Sequence, residues 1–281
     1  MQGMAKEVAA EHRERGRREL AEGRFQEALE DFNEAIRLDP SDTQAESLRA
    51  SLLRARADTP SADQLAEAGR YDEVCEKYAK AVETDPRDAM AYSDWGYALI
   101  QMGKHAEACE KFAKAVEINP RDADAFVKWG YALWKMGKGA ESCDKFVKAL
   151  QINPRYADAH YNWGIALTVM REHAEACEHF ANAVEIDPRL PDAHRNWGHA
   201  LLNMGRAAEA CEKYAKAVEI DPRDAEACYN WGVALDRMGR DADACEKFAK
   251  AVEVRPGHAL AYHDWGAALG SLGRYAEEWE K

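Results

Sequence analysis

A chain of 281 residues with 32% charged side chains and a formal net charge of -13 argues against nucleic acid as the main partner, because phosphate binding needs a basic stripe. Hydrophobic residues make up 47% of it, yet no segment approaches the roughly 18 consecutive apolar residues of a membrane span, and Met1 to Glu14 holds no apolar run fit for a signal sequence. Seven Cys, an odd number on apolar stripes, suit a reducing compartment, so a cytoplasmic location is expected.

At the N-terminus Arg13, Arg15, Arg17 and Arg18 alternate with Glu11, Glu14 and Glu19, which reads as a solvated helix face. Gly23 and Pro40 stand as far apart as Gly69 and Pro86, so residues 1–42 are expected to form a helical repeat of their own. The interval from Pro40 to Pro86 is 46 residues, 12 more than the spacing farther on. Within it Thr43 to Arg56 reads as a helix with Leu48, Leu52 and Leu53 on one side. Asp58-Thr59-Pro60 stops that helix, and Ser61 to Gln64 has the spacing of a capping box that opens a short one. Residues 43–88 are therefore an irregular repeat with an inserted helix, where the array is expected to bend or loosen.

From residue 89 to 258 the chain repeats strictly. Trp-Gly recurs every 34 residues at Trp95-Gly96, Trp129-Gly130, Trp163-Gly164, Trp197-Gly198, Trp231-Gly232 and Trp265-Gly266, which means one small unit stacked on copies of itself. In the first copy Tyr92, Trp95, Leu99 and Met102 fall at helical steps. Gly103 then ends the helix, as do Gly137, Gly205, Gly239 and Gly273 in other copies, with Glu172 read as the substitute in the unit of Trp163. A second helix starts near His105 and presents Ala108, Cys109, Phe112, Ala115 and Val116, while Glu107 with Lys111 and Glu110 with Lys114 are spaced to pair on its outer side. Pro120 closes the unit and Asp122 caps the next. In the last copy, residues 259–281, Arg274 is expected to begin a second helix that is incomplete at Lys281. That end is expected to be uncapped, either because the chain is incomplete or because another molecule covers it, with Trp279 as the end-contact residue.

A helix-turn-helix of this length, with a large residue before Gly in its first helix, Ala and an aromatic in its second and a closing Pro, resembles the tetratricopeptide repeat. The resemblance implies an all-α, right-handed superhelical solenoid of antiparallel helix pairs, in which the first helices line a concave groove. Trp stands where the family has Leu, and Cys75, Cys109, Cys143, Cys177, Cys211 and Cys245 where it has aliphatic residues. Both are read as core variants, since Trp brings a large buried area and reduced Cys behaves as a small hydrophobe.

Groove positions are expected one and two residues before each Trp and two, five and six after it, among them Ser93, Asp94, Ile100, Val127 and Leu202. Asn162, Asn196 and Asn230 hold the same place in successive units, resembling the asparagine ladder with which some such superhelices hold an extended chain, because an amide both donates and accepts. Tyr97, Lys128, Tyr131, Trp134, Tyr161, Arg195, His199, Tyr229 and Arg237 complete the candidate peptide-binding set. The paired Lys and Asn that grip chaperone-tail carboxylates in one subclass are missing. Asp94, Asp124, Asp158, Asp192 and Asp236 favour a neutral to basic guest.

No catalytic residue, cofactor or metal site is expected. One Cys per unit does not gather ligands, and His173 with His179, six apart, do not share a helix face. The leading reading is a non-catalytic protein-protein interaction scaffold that binds an extended peptide. Its rivals are self-association through the C-terminal end and an engineered or recombined array. The near-identity of residues 108–120 and 210–222 favours the latter; the irregular second unit and the retained Cys oppose it.

Overall fold

The computed structural model describes residues 2–21, 24–58 and 60–279, and the side chains of residues 1–4, 25–26, 53–58 and 274–279 are outside that description, as are those of Leu53 and Trp279 singled out above. Among the described residues there are sixteen helices and no strand: α1 (Gln2–Ala21), α2 (Phe25–Leu38), α3 (Thr43–Asp58), α4 (Ala62–Glu67), α5 (Tyr71–Thr84), α6 (Ala89–Gln101), α7 (His105–Ile118), α8 (Ala123–Lys135), α9 (Gly139–Ile152), α10 (Ala157–Val169), α11 (His173–Ile186), α12 (Pro191–Asn203), α13 (Ala207–Ile220), α14 (Ala225–Asp236), α15 (Asp241–Val254) and α16 (Ala259–Trp279). The chain divides into two compact units, Met1–Glu73 and Val74–Lys281.

In the first unit α1 packs on α2 and α2 on α3, with Ala28, Phe32 and Leu52 buried together and Leu20, Leu29 and Leu48 against them. The short α4 starts as its sequence predicts: Ser61 accepts from the Gln64 backbone N–H, and the Gln64 side chain accepts from that of Ser61.

The second unit is a stack of antiparallel pairs, α6 with α7, α8 with α9, α10 with α11, α12 with α13 and α14 with α15, each second helix also packing on the first helix of the next pair. The pair is held by one contact repeated five times. A Cβ added at Gly96, Gly130, Gly164, Gly198 or Gly232 would come within 2.6 to 2.8 Å of a ring carbon of Phe112, Phe146, Phe180, Tyr214 or Phe248. These rings are at most 1% exposed, and burying each stabilises the stack by about 1.5–3 kcal/mol. Gly therefore follows Trp because the second helix drives an aromatic ring against the first helix's backbone. Gly16 and Phe32 make the same contact in the first unit.

Asp88, Asp122 and Asp224 cap first helices by accepting from the N–H three residues on, which satisfies one of the orphan donors of a helix start. Four of the turns between paired helices pass through left-handed Gly at 103, 137, 205 and 239. In the third pair the left-handed residue is Arg171, φ 65°, and not Glu172, which instead precedes α11 as its N-cap. Two further expectations are corrected. The outer lysines do not pair four residues back: Lys114 bonds Glu117 at 2.8 Å and Lys111 lies 3.8 Å over the Trp95 ring, because an indole face on the neighbouring helix is the nearer partner. And α16 runs unbroken through Gly273 and Arg274, since glycine permits a turn without imposing one.

Candidate functional site

The first helices α6, α8, α10, α12, α14 and α16 touch one another in succession, while the second helices make their main contacts with first helices. Within the second unit the first helices thus lie on the inner side of the curve. On that side α6, α8 and α10 enclose a cleft of about 290 Å³ lined by Tyr97, Ile100, Gln101, Asp124, Val127, Lys128, Tyr131, Tyr156, Asp158 and Asn162. Four residues of the candidate set, Tyr97, Lys128, Tyr131 and Asn162, meet there from three repeats. The helical period explains the convergence, since each comes from the solvent side of a first helix at the Trp register.

Its electrostatics are uneven. Lys128 reaches Asp124 at 2.5 Å and lies 5.3 Å over the Tyr97 ring, while the Tyr156 hydroxyl donates to Asp124 at 2.7 Å. Burial, with Asp124 adding repulsion, raises the Tyr156 phenol well above its ordinary range. Burial also raises the Asp158 carboxyl, and repulsion from Asp124 and Asp187 adds to it. The cleft therefore offers two tyrosine faces, an apolar floor at Ile100 and Val127, and a surplus of carboxylate.

Farther along, several candidates join one repeat to the next. The Asn196 amide donates to the Tyr161 hydroxyl at 3.3 Å, and the Tyr229 hydroxyl donates to Asp264 at 2.9 Å. Arg195 pairs with Asp192 and Asp224, and Arg237 donates to the Leu202 carbonyl at 3.3 Å. Asn162 donates to the Asp158 carbonyl at 2.8 Å, one turn back on its own helix, and Asn230 is half-buried at the same register. Trp134 stands beside Tyr131, ring centroids 5.6 Å apart, with Lys135 at 4.6 Å. His199 is exposed, with the Asn203 amide 3.4 Å from its ring nitrogen. Ser93, Ile100, Val127 and Leu202 are at most 9% exposed, Ile100 and Val127 showing only as the floor of the cleft, because successive first helices press together there.

A second set escapes the sequence reading altogether. In five repeats the residue sixteen after the Trp covers its indole face. In four of them Lys111, Lys145, Lys213 and Lys247 lie 3.8 to 4.2 Å from the rings of Trp95, Trp129, Trp197 and Trp231, a cation–π contact worth about 0.5–1 kcal/mol at such half-exposed places. In the third repeat that residue is His179, stacked on Trp163 with centroids 4.0 Å apart, and its Nδ1 lies 3.0 Å from Nδ1 of His160. In the first unit His12 stands at the place of His160, Arg15 at that of the Trp and Asp31 at that of His179, and His12 and Arg15 both bond Asp31. Repeat register, the offsets of -3 and +16 from Trp, is the signal that finds these contacts. The indole N–H groups of Trp129 and Trp163 lie next to Cys109 and Cys143 of the preceding repeats without a hydrogen bond of normal geometry, so Cys serves there as a polarisable packing contact. Burial pushes both thiols up, which favours the less nucleophilic thiol form over the thiolate.

Among the described residues no helix is long and apolar enough to cross a membrane, and no three His, Cys, Asp or Glu gather into a group able to hold a metal ion.

Comparison with known proteins agrees with this architecture. A family model described as TPR repeat matches residues 96–137 and 198–239, and one described as tetratricopeptide repeat matches residues 9–42 and 225–258. No curated protein matches the chain. Among solved structures it is similar to YrrB, described as a TPR protein with an unusual peptide-binding site, at 29% identity over 68% of this chain and 98% of that one, TM-score 0.56. It is similar in fold to PilW, a type IV pilus biogenesis factor, at 20% identity over 72% and 94%, TM-score 0.66. The same holds for MamA from Desulfovibrio magneticus RS-1, at 22% identity over 61% and 97%, TM-score 0.56.

Proposed function

We propose that this tetratricopeptide-repeat protein is a non-catalytic scaffold that holds an extended, neutral to basic protein segment along the inner face of its second unit. One observation carries the reading: Tyr97, Lys128, Tyr131 and Asn162, from three successive repeats, line a single cleft. Two aromatic faces supply anchors with little side-chain entropy to lose. Asp158 and Asp124 supply the charge that favours a Lys or Arg on the guest, because a carboxylate already raised by burial and by its acidic neighbour gains most from a cation. The amides of Asn162, Asn196 and Asn230 extend the site along the array by bonding the guest's backbone, each NH2 keeping one hydrogen beyond the internal bond at Asn162 and Asn196. The likeness to YrrB supports a peptide as the guest. The seven free thiols, those of Cys109 and Cys143 pushed up by burial, support a reducing, cytoplasmic setting.

Peptides selected from a displayed random library against the full chain test this. Selected sequences are expected to be rich in Lys, Arg and apolar residues, and Tyr97→Ala with Tyr131→Ala is expected to weaken them by about 2 kcal/mol or more, some thirtyfold. Alanine at Asn162, Asn196 and Asn230 together is expected to weaken them further. Acidic selected peptides, or affinities indifferent to the tyrosines, would remove the cleft from the proposal.

A second reading has its own observation. On α16, Tyr262 and Leu269 are 49 and 51% exposed, and among the described residues nothing lies within 4 Å of where a Cβ at Gly266 would stand, so the face these three share is open to a neighbouring molecule. Mass measured across a concentration series decides it: a monomer at high concentration rules out association through this end.

A further inference from the structure

Among the described residues of the second unit two imidazoles face each other at one place, between the first and second helices of the third repeat and away from the cleft. His160 of α10 and His179 of α11 approach with Nδ1 to Nδ1 3.0 Å. We propose that His160 and His179 are a two-nitrogen site for a divalent transition metal of tetragonal preference, Cu(II) foremost.

The distance carries the choice of metal. With metal–nitrogen bonds of about 2.0–2.1 Å, nitrogens 3.0 Å apart subtend about 91–97° at the ion, the cis angle of a square-planar or tetragonal centre. A tetrahedral ion needs them about 3.3–3.4 Å apart at the same bond length. Each lone pair must swing about 40° off the line joining the nitrogens, a consequence of the same bond lengths. The His179 ring stacks on Trp163, centroids 4.0 Å apart with 26° between the planes.

The His160 ring donates to the Pro154 carbonyl. The equivalent ring one repeat on, His194, bonds Pro188 while its Nδ1 has no partner, so the nitrogen facing the carbonyl is Nε2. By the same register His160 spends Nε2–H on Pro154 and keeps a lone pair on Nδ1. A ring N–H held by a backbone carbonyl is the support that metal-bound histidines recurrently have, because it fixes tautomer and orientation. In the metal-free protein the two Nδ1 atoms share an N–H···N hydrogen bond, one ring donating and the other accepting, and an ion that takes both nitrogens releases that proton, as metal binding to imidazole does. Burial lowers both rings, that of His179 to about 4 with His160 adding repulsion, so both are neutral at pH 7. No third His, Cys, Asp or Glu joins them among the described residues, and the remaining positions on the ion are left to solvent or to a donor on a bound molecule.

The repeats supply their own controls. Four of them carry Lys at the place of His179, over the indole, so His179→Lys keeps the cover of Trp163. Phe126 holds the place of His160 one repeat earlier, so His160→Phe also follows a native precedent. Lys213→His would set a second pair beside His194. Cu(II) alone is titrated into the metal-free full chain by calorimetry, with electron paramagnetic resonance reading the number of coupled nitrogens. The wild type is expected to show one site with two equivalent imidazole nitrogens. His179→Lys and His160→Phe are expected to lose it, affinity falling about a hundredfold, the low end of what joining two binding groups adds. Lys213→His is expected to add a second site of the same signature. Adventitious binding at other histidines persists unchanged in every variant. Unaltered stoichiometry and spectrum in His179→Lys and His160→Phe would overturn the proposal, and a folded Lys213→His protein with no added site would do so independently.

Discussion

Alanine at Gly130 and alanine at Gly266 are the same substitution at the same register of a repeat, and the structure assigns them opposite signs. In a helix interior Gly→Ala gains about 1 kcal/mol from backbone propensity. At Gly266 nothing among the described residues lies within 4 Å of the new Cβ, so the gain stands, about 0.4–1 kcal/mol. At Gly130 the methyl would sit 2.6, 2.9 and 3.0 Å from three carbons of the Phe146 ring. That ring is 0% exposed and stiff, so it cannot swing aside as the tip of a long chain would. Overpacking of this kind costs about 1–3 kcal/mol, and three simultaneous close approaches place it in the upper half, leaving a net loss of about 1–2 kcal/mol after the propensity gain. Urea unfolding followed by Trp fluorescence measures the sum. Amide exchange in α8 and α9 localises it, which matters because repeat arrays depart from two-state behaviour. A Gly130→Ala protein as stable as its parent would show that the ring and backbone do not meet, and with that contact would go the packing of the five regular pairs.

Arg171→Gly relieves a left-handed arginine, φ 65°, and is expected to stabilise the α10–α11 pair by about 0.5–1 kcal/mol, read as a higher melting temperature. Lys145→Gln uncovers the Trp129 ring and is expected to cost about 0.5–1 kcal/mol, with a shifted indole emission as the local readout. In the first unit the Arg15 guanidinium, with His12 assisting, holds the Asp31 carboxyl down to about 2 from its usual 3.8. A depressed carboxylate stabilises the fold at every pH above its unfolded value and loses that contribution as pH falls from about 4 towards 2. Asp31→Asn is expected to lower stability at pH 7 and to flatten the acid limb in that window, followed by exchange in α1 and α2. An unchanged acid limb would mean that the ion cluster contributes nothing.

Much of the fold is legible in the residues because a repeat states its rules several times over. Pro and Gly mark the pair boundaries, Asp88, Asp122 and Asp224 cap as their positions imply, and Ser61 with Gln64 forms the capping box its spacing predicts. What stays illegible depends on neighbours across space. Spacing along α7 suggests that Lys111 seeks Glu107, yet only the packing of α7 on α6 reveals an indole 3.8 Å away. His160 and His179 are nineteen residues apart on different helices, outside any single-helix motif. Ile100, Val127 and Leu202 look open on a helical wheel and are covered because the stack curves and brings first helices together. Gly273 matches its counterparts in sequence, but α16 continues through it. The turn at Gly103 is held by backbone bonds to Ile100 and Leu99, each 2.9 Å; a glycine alone does not impose them.

The position of a bound segment is the most direct test of a peptide-holding inner face. A crystal structure of the full chain with a selected basic peptide is expected to show the peptide extended across α6, α8 and α10, an apolar side chain between Tyr97 and Tyr131, a Lys or Arg at Asp158 and its backbone at the Asn162 amide. Density on the outer flank, among the second helices, would contradict it.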